Sequence, residues 1–155
     1  MKRILIFSDT HGNIKKATEI INNIPCDLII HLGDLVRDAK EIQKFFPDIP
    51  VKYVCGNNDY FGTDYIKVVE FEGINLLCTH GHLYTLDKMV EKAETLNCSF
   101  VLFGHTHKSM NQMQGNVRLF NPGSISRPRD DTPSYGVLEI EDNIPKIAII
   151  KERNN

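Results

Sequence analysis

RILIFSDTHGN, residues 3–13, decides how this chain folds. Its first half is a short continuous apolar run that stops at polar residues, the pattern of a strand buried on both faces. Its second half is a polar knot, SDTHGN, carrying Asp9 and His11. The same sequence of run and knot returns in CDLIIHLGD (26–34) and VKYVCGN (51–57). Between these runs, residues 13–24 place Ile14, Ala17, Ile20, Ile21 and Ile24 at helical spacing before Pro25. A second short helix, with Asp38 as its cap, carries Ala39, Ile42, Phe45 and Phe46 up to Pro47. A β-α-β-α-β order predicts a parallel sheet with helices on its faces.

The second half of the chain has a different texture. Residues 66–71 and 74–79 flank Glu72-Gly73, a hairpin signal. Residues 86–96 form an amphipathic helix through Leu86, Met89, Val90, Ala93 and Leu96, and 100–103 is another short buried strand. Segments 110–113, 117–121, 135–141 and 147–151 read as antiparallel strands joined by QGN, PGSISRPRDDTP and EDNIP. There is no internal repeat and no linker long enough to separate domains, so residues 1–155 are expected to form one domain.

Bulk composition excludes several classes. The 18 basic and 20 acidic residues give a net charge of −2 with no block of one sign, which offers no clear nucleic-acid surface. The apolar runs are strand-sized, far short of a membrane span. The N-terminal run ends in SDTHG rather than in small residues, which argues against a signal peptide and for a cytoplasmic location. Cys26, Cys55, Cys78 and Cys98 are widely spaced, with no CxxC pair, and are expected to be buried reduced thiols.

The informative residues sit in the knots. In order they are Asp9 and His11, then Asp34, then Asn57, Asn58 and Asp59, then His80 and His82, then His105 and His107. Ligands in open α/β sheets bind at the carboxyl ends of strands, so the knots should meet in space. Five of the six histidines lie in them; His31, inside a strand, is expected to be a core histidine bonded to backbone. A single D-x-H or GD after a strand is usually a turn. Five knots in equivalent positions, rich in imidazole and carboxylate, point to a first-row transition metal.

The ordered set D-x-H, GD, GN-x-D, H-G-H and G-H-T-H resembles the calcineurin-like metallophosphoesterase superfamily. The short length and NPGS at 121–124 are similar to its small YfcE-type phosphodiesterases of bacteria and archaea. The resemblance implies a four-layer α/β/β/α sandwich of two mixed sheets. It also implies a dinuclear phosphoesterase, most often a phosphodiesterase, that uses a hydroxide bridging two divalent metals. Mn or Ni would be preferred, with Zn, Co or Fe as alternatives. Carried over by motif, Asp9, His11 and His107 would hold one metal and Asn57, His80 and His105 the other, with Asp34 shared. The partner would be a small phosphodiester. Small family members are often dimers or larger, so a homodimer is the expected assembly.

One position departs from the wider superfamily. Many members carry a histidine, thought to protonate the leaving oxygen, where this chain has Asn58. An amide donates a hydrogen bond but transfers no proton at neutral pH. Asp59 is expected to orient the loop, and His82 is the obvious substitute acid. Arg127 and Arg129 could meet a substrate phosphate. The competing reading is a non-catalytic interaction scaffold on the same fold, as in retromer-type relatives. Retention of all seven ligand positions favours the enzyme.

Overall fold

A computed structural model describes residues 1–59, 64–130 and 132–152. Tyr60 and Asp131, the latter in the long second-half loop, lie outside them, as do six further positions of the expected 1–155 domain. In chain order the elements are β1 (Lys2–Phe7), α1 (Lys15–Asn23), β2 (Leu28–His31), α2 (Val36–Phe45), β3 (Val51–Tyr53), β4 (Ile66–Phe71) and β5 (Ile74–Thr79). They continue with α3 (Leu86–Thr95), β6 (Phe100–Leu102), β7 (Met110–Gln114), β8 (Val117–Asn121), β9 (Ser134–Glu141) and β10 (Ile144–Lys151).

Each continuous apolar run becomes a strand that feeds two cores at once, because successive side chains point to opposite faces. From β1, Ile4 and Ile6 enter the core between the sheets, beside Leu28, Ile30, Leu76 and Leu102. Leu5 and Phe7 point the other way, against Ala17, Ile20 and Ile21 of α1 and Ile42 of α2. In the second sheet Leu77, Val101 and Leu119 face Met89, Val90 and Ala93 of α3. The result is a four-layer α/β/β/α sandwich. One five-stranded sheet has the order β10-β9-β1-β2-β3 and the other β4-β5-β6-β8-β7. Both are mixed: β1, β2 and β3 run parallel, as do β5, β6 and β8, and hairpins flank them.

Several boundaries differ from the sequence expectation. Pro145 lies inside β10, not in a connection; β10 is an edge strand, where a missing N–H breaks no ladder. Asp38 does not cap α2. Leu35 precedes the helix without a side-chain cap, and Asp38 sits buried in its first turn. α1 begins at Lys15 because residues 10–13 first make a turn, Asn13 N–H donating to the Thr10 carbonyl at 3.0 Å. Runs 26–34 and 51–57 pair only over Leu28–His31 and Val51–Tyr53, their polar ends being loop. All four cysteines are free. Among the described residues no helix is long and apolar enough to cross a membrane.

Leu102, fully buried between the sheets, and Leu83, more than half exposed, separate core from surface. Leu102→Ala should lower the unfolding free energy in urea by about 2–5 kcal/mol. Leu83→Ala should change it by no more than about 0.5 kcal/mol.

Candidate metal centre

The carboxyl ends of β1, β2, β3, β5 and β6 bring their knots together. Backbone bonds lock the approach: Asp9 N–H donates to the Gly33 carbonyl (2.9 Å), His11 N–H to Asp34 (3.1 Å) and Gly104 N–H to His80 (2.9 Å). Five knot residues adopt the left-handed region, with φ of 55° at Asp9, 47° at His11, 41° at Asp34, 71° at His105 and 59° at His107. Such conformations cost on the order of 1–3 kcal/mol each and persist only where the neighbourhood holds them. The remaining non-glycine positive-φ positions among the described residues, Glu72, Asn97, Asp142 and Asn143, lie outside the knots.

Asp9 is completely buried, and its two carboxylate oxygens differ. Oδ2 accepts from the Ser8 hydroxyl at 2.6 Å and from His105 N–H at 3.0 Å. Oδ1 has no hydrogen-bond partner. Around it stand the Nε2 atoms of His107 (3.3 Å), His11 (3.7 Å) and His80 (3.7 Å). The tautomers explain why two of these nitrogens, those of His80 and His107, do not supply it. Nδ1 of His80 lies 2.7 Å from the Leu32 carbonyl, and Nδ1 of His107 lies 2.6 Å from that of Arg127. A carbonyl only accepts, so each neutral ring carries its proton on Nδ1 and turns an Nε2 lone pair inward. His80 Nε2 is likewise buried without a partner. Lone pairs facing a carboxylate repel, and a cation is the group that satisfies them all. Two sets of donor atoms lie close enough to hold one: Asp9, His11 and His107, and Asp9, Asp34 and His80.

Asp34 faces both sides, its Oδ2 3.5 Å from His80 Nε2 and 4.0 Å from His11 Nε2. Asn58 contacts it twice, the amide Nδ2 donating to Oδ2 at 2.7 Å and the backbone N–H to Oδ1 at 3.0 Å. Among the described residues Asp59 makes no hydrogen bond to a knot side chain. Its carboxylate accepts from the N–H groups of Val36 (2.7 Å), Gly56 (2.7 Å) and Asp34 (3.3 Å) and so fastens the two loops together. Asn57 Oδ1 lies 3.1 Å from His105 Nδ1. Gly33 and Gly56 let these groups approach. A Cβ on Gly33, whose φ is 101°, would come 2.7 Å from His80 Nδ1, and one on Gly56 would collide with Asp34 Oδ1.

A cleft of about 270 Å³ opens over the cluster, lined by His11, Asp34, Asn57, Asn58, His105, His107, Arg127 and Arg129. Both arginines therefore reach the site. His82 is not among the described lining residues; its ring meets Tyr65 edge-on at 5.8 Å and its Nδ1 is buried without a partner. His31 is the expected core histidine. Gly33 N–H donates to its Nδ1, so its Nε2–H donates to Thr10 Oγ1 at 2.9 Å, which donates to Asp38 at 2.6 Å.

Sequence reasoning missed the residues that hold the knots in place. Asp38 also accepts from Gly12 N–H, gripping the D-x-H turn from α2. Ser124 and Ser126 donate to the Asp9 carbonyl at 2.8 and 3.1 Å. Asn121 Nδ2 donates to the Gly104 carbonyl at 3.1 Å. Only NPGS, which carries part of the family resemblance, signalled any of this.

Burial raises the Asp9 pKa, but the close approach of His107 and His80 and the Ser8 hydroxyl outweigh it and hold the carboxyl below its ordinary value. Burial pushes His11, His82 and His105 below theirs. The adjacent Asp9 carboxylate holds His107 above its own.

This geometry fits its relatives. A model of the calcineurin-like phosphoesterase superfamily domain matches residues 1–143, and the chain belongs to that superfamily. It is 41% identical to phosphodiesterase YfcE of Escherichia coli over 166 aligned residues, covering 90% of this chain and 88% of the relative. A Streptococcus pneumoniae structure described as a predicted phosphoesterase superposes with a TM-score of 0.80 at 27% identity, covering 97% and 89% of the two chains. Vps29 of Entamoeba histolytica, solved with zinc, shares the fold with a TM-score of 0.73 at 19% identity, covering 96% and 98%. The chain is a phosphoester hydrolase of the metallophosphoesterase type.

Burial also depresses the pKa of His31, which is fully enclosed. Below pH about 6.5 the unfolded chain takes up a proton there that the folded chain refuses, so this stability is whole above that pH and lost as pH falls. Chelator-treated protein should become easier to unfold in urea between pH 7 and 5, and His31→Gln should flatten the decline. An unchanged slope in the variant would assign it to other histidines.

Proposed function

We propose that the chain hydrolyses small phosphodiesters with two divalent cations. Asp9, His11 and His107 would hold one, Asn57, His80 and His105 the other, and Asp34 would be shared. The observation that carries this reading is the buried Asp9 oxygen without a partner, ringed by three imidazole nitrogens. Asp34 supports the shared role because its Oδ2 approaches His11 and His80, which belong to different shells. Bound there, divalent cations acidify water and offset the charge of the phosphoryl oxygens.

The chain's own groups do the rest. Carbonyls of Leu32 and Arg127 keep His80 and His107 in the tautomer that presents Nε2. Asn58 orients the Asp34 carboxylate through its amide and is not a proton donor. With no acid among the described lining residues except Asp34 and the histidines, all assigned to cations, the leaving oxygen departs largely unprotonated by the protein. A scaffold role would share the fold but gives no reason for a buried, unsatisfied carboxylate oxygen at its centre.

Metal content tests the shared carboxylate. Asp34→Asn should reduce bound metal and nearly abolish turnover of a nitrophenyl diester; full occupancy with full activity would remove Asp34 from that role. The donor set is rich in imidazole, so Mn or Ni should activate more than Mg at equal free concentration. Highest activity with Mg alone would count against the ligand assignment.

Leaving-group dependence tests the missing acid. Rates should fall steeply from nitrophenyl to alkyl diesters, and Asn58→His should favour the poor leaving groups, where acid catalysis is worth about 10²–10⁴-fold when well placed. A shallow dependence in the parent that becomes steep in His82→Ala would instead identify His82 as the acid.

A further inference from the structure

Two guanidinium groups in the cleft have no part in this scheme. Arg127 and Arg129 line it beside His11, Asp34 and His107. Both come from the loop between β8 and β9, whose backbone is fastened to the knots. Ser126 Oγ donates to the Thr10 carbonyl at 2.7 Å, and Arg127 N–H donates to Ser124 Oγ at 2.8 Å. His107 is gripped from both sides: its Nδ1 donates to the Arg127 carbonyl, and Arg129 N–H donates to its carbonyl at 2.8 Å. The main chain is thus fixed while both arginine side chains are exposed.

Nothing among the described residues neutralises them. Asp130, the adjacent acid, spends its Oδ2 on the N–H and hydroxyl of Ser109, each at 2.8 Å. No described carboxylate forms a salt bridge with either guanidinium. Cations bound at the knots would add further positive charge to the same cleft. A single phosphodiester anion brings one negative charge, which the cation side would absorb. The arginines present planar donors matched to a second set of phosphoryl oxygens.

We propose that Arg127 and Arg129 form an anion subsite that selects phosphodiesters carrying a second phosphate beyond the scissile one. This rests on the hydrolytic reading: the scissile phosphoryl lies on the cation side and the second phosphate on the arginine side. The cleft volume of about 270 Å³ suits a small molecule of this kind.

The test uses metal-loaded protein and two substrates with one leaving group, methyl 4-nitrophenyl phosphate and 2-phosphoethyl 4-nitrophenyl phosphate. In both, water adds to phosphorus and nitrophenolate leaves, so the bond cut is the same and the substrates differ only in the phosphoethyl arm. The expected kcat/KM ratio favours the phosphoethyl substrate by about tenfold or more, the scale of a charge-assisted contact. Arg127→Ala with Arg129→Ala should bring the ratio close to one, since both backbone contacts to His107 remain; the double lysine variant should restore part of it. Calorimetry with ethane-1,2-bisphosphonate and ethylphosphonate reads the same preference without turnover. A parent ratio near one, or a ratio unmoved by the double alanine variant, overturns the subsite and leaves hydrolysis standing. Failure to cut either substrate with metals bound sinks the hydrolytic reading instead. The calorimetric preference then decides the subsite: lost in the alanine variant it stands, absent in the parent it falls.

Discussion

A carboxylate oxygen sealed from water and faced by imidazole lone pairs is unfavourable by itself, and the architecture is arranged to produce it at Asp9. Three separate supports are needed. Strand β1 must be covered on both faces so that Asp9, two residues beyond its end, is buried. The second sheet must deliver His80 and the His105–His107 loop from the opposite side. Carbonyls of Leu32 and Arg127 must fix the ring protons away from the centre. Remove any one and the oxygen either finds water or finds a proton.

The strained backbone follows from the same requirement. Asp9, His11, Asp34, His105 and His107 turn their side chains inward from positive φ, a posture that only a surrounding network sustains. Part of that network is the buried relay from His31 through Thr10 to Asp38, which sets the D-x-H turn without touching the centre. Part is the loop after β8, whose serines hold the Asp9 carbonyl. Stability is spent locally to aim donors that have no favourable contacts of their own.

Much of the architecture was legible in the chain. Runs such as RILIF are too apolar for a one-sided sheet, and they announce two covered faces. Polar knots at equivalent strand ends announce a shared site. What stayed hidden was non-local. Pro145 looks like a strand breaker unless β10 is known to be an edge. Asp38 has the composition of a helix cap, and only the fold shows Thr10 and Gly12 beside it. Asn58 looked like a vacancy where an acid belongs; its amide in fact holds Asp34. Asp59 was expected to orient its loop, and only the fold shows that the N–H groups it accepts from belong to two loops.

The placement of β1 between β2 and β9 also governs the order in which the protein can become itself. One neighbour of β1 is close in sequence, while the other, with Val137 set against Leu5, lies near the far end of the chain. Bringing such distant segments together is entropically slow. Asp9, His11 and Asp34 emerge early in synthesis, whereas the serines that seat Asp9 arrive only with the loop before β9. A nascent chain therefore carries Asp9, His11 and Asp34 long before it has the enclosure that organises them, and the shape of the site is a property acquired late.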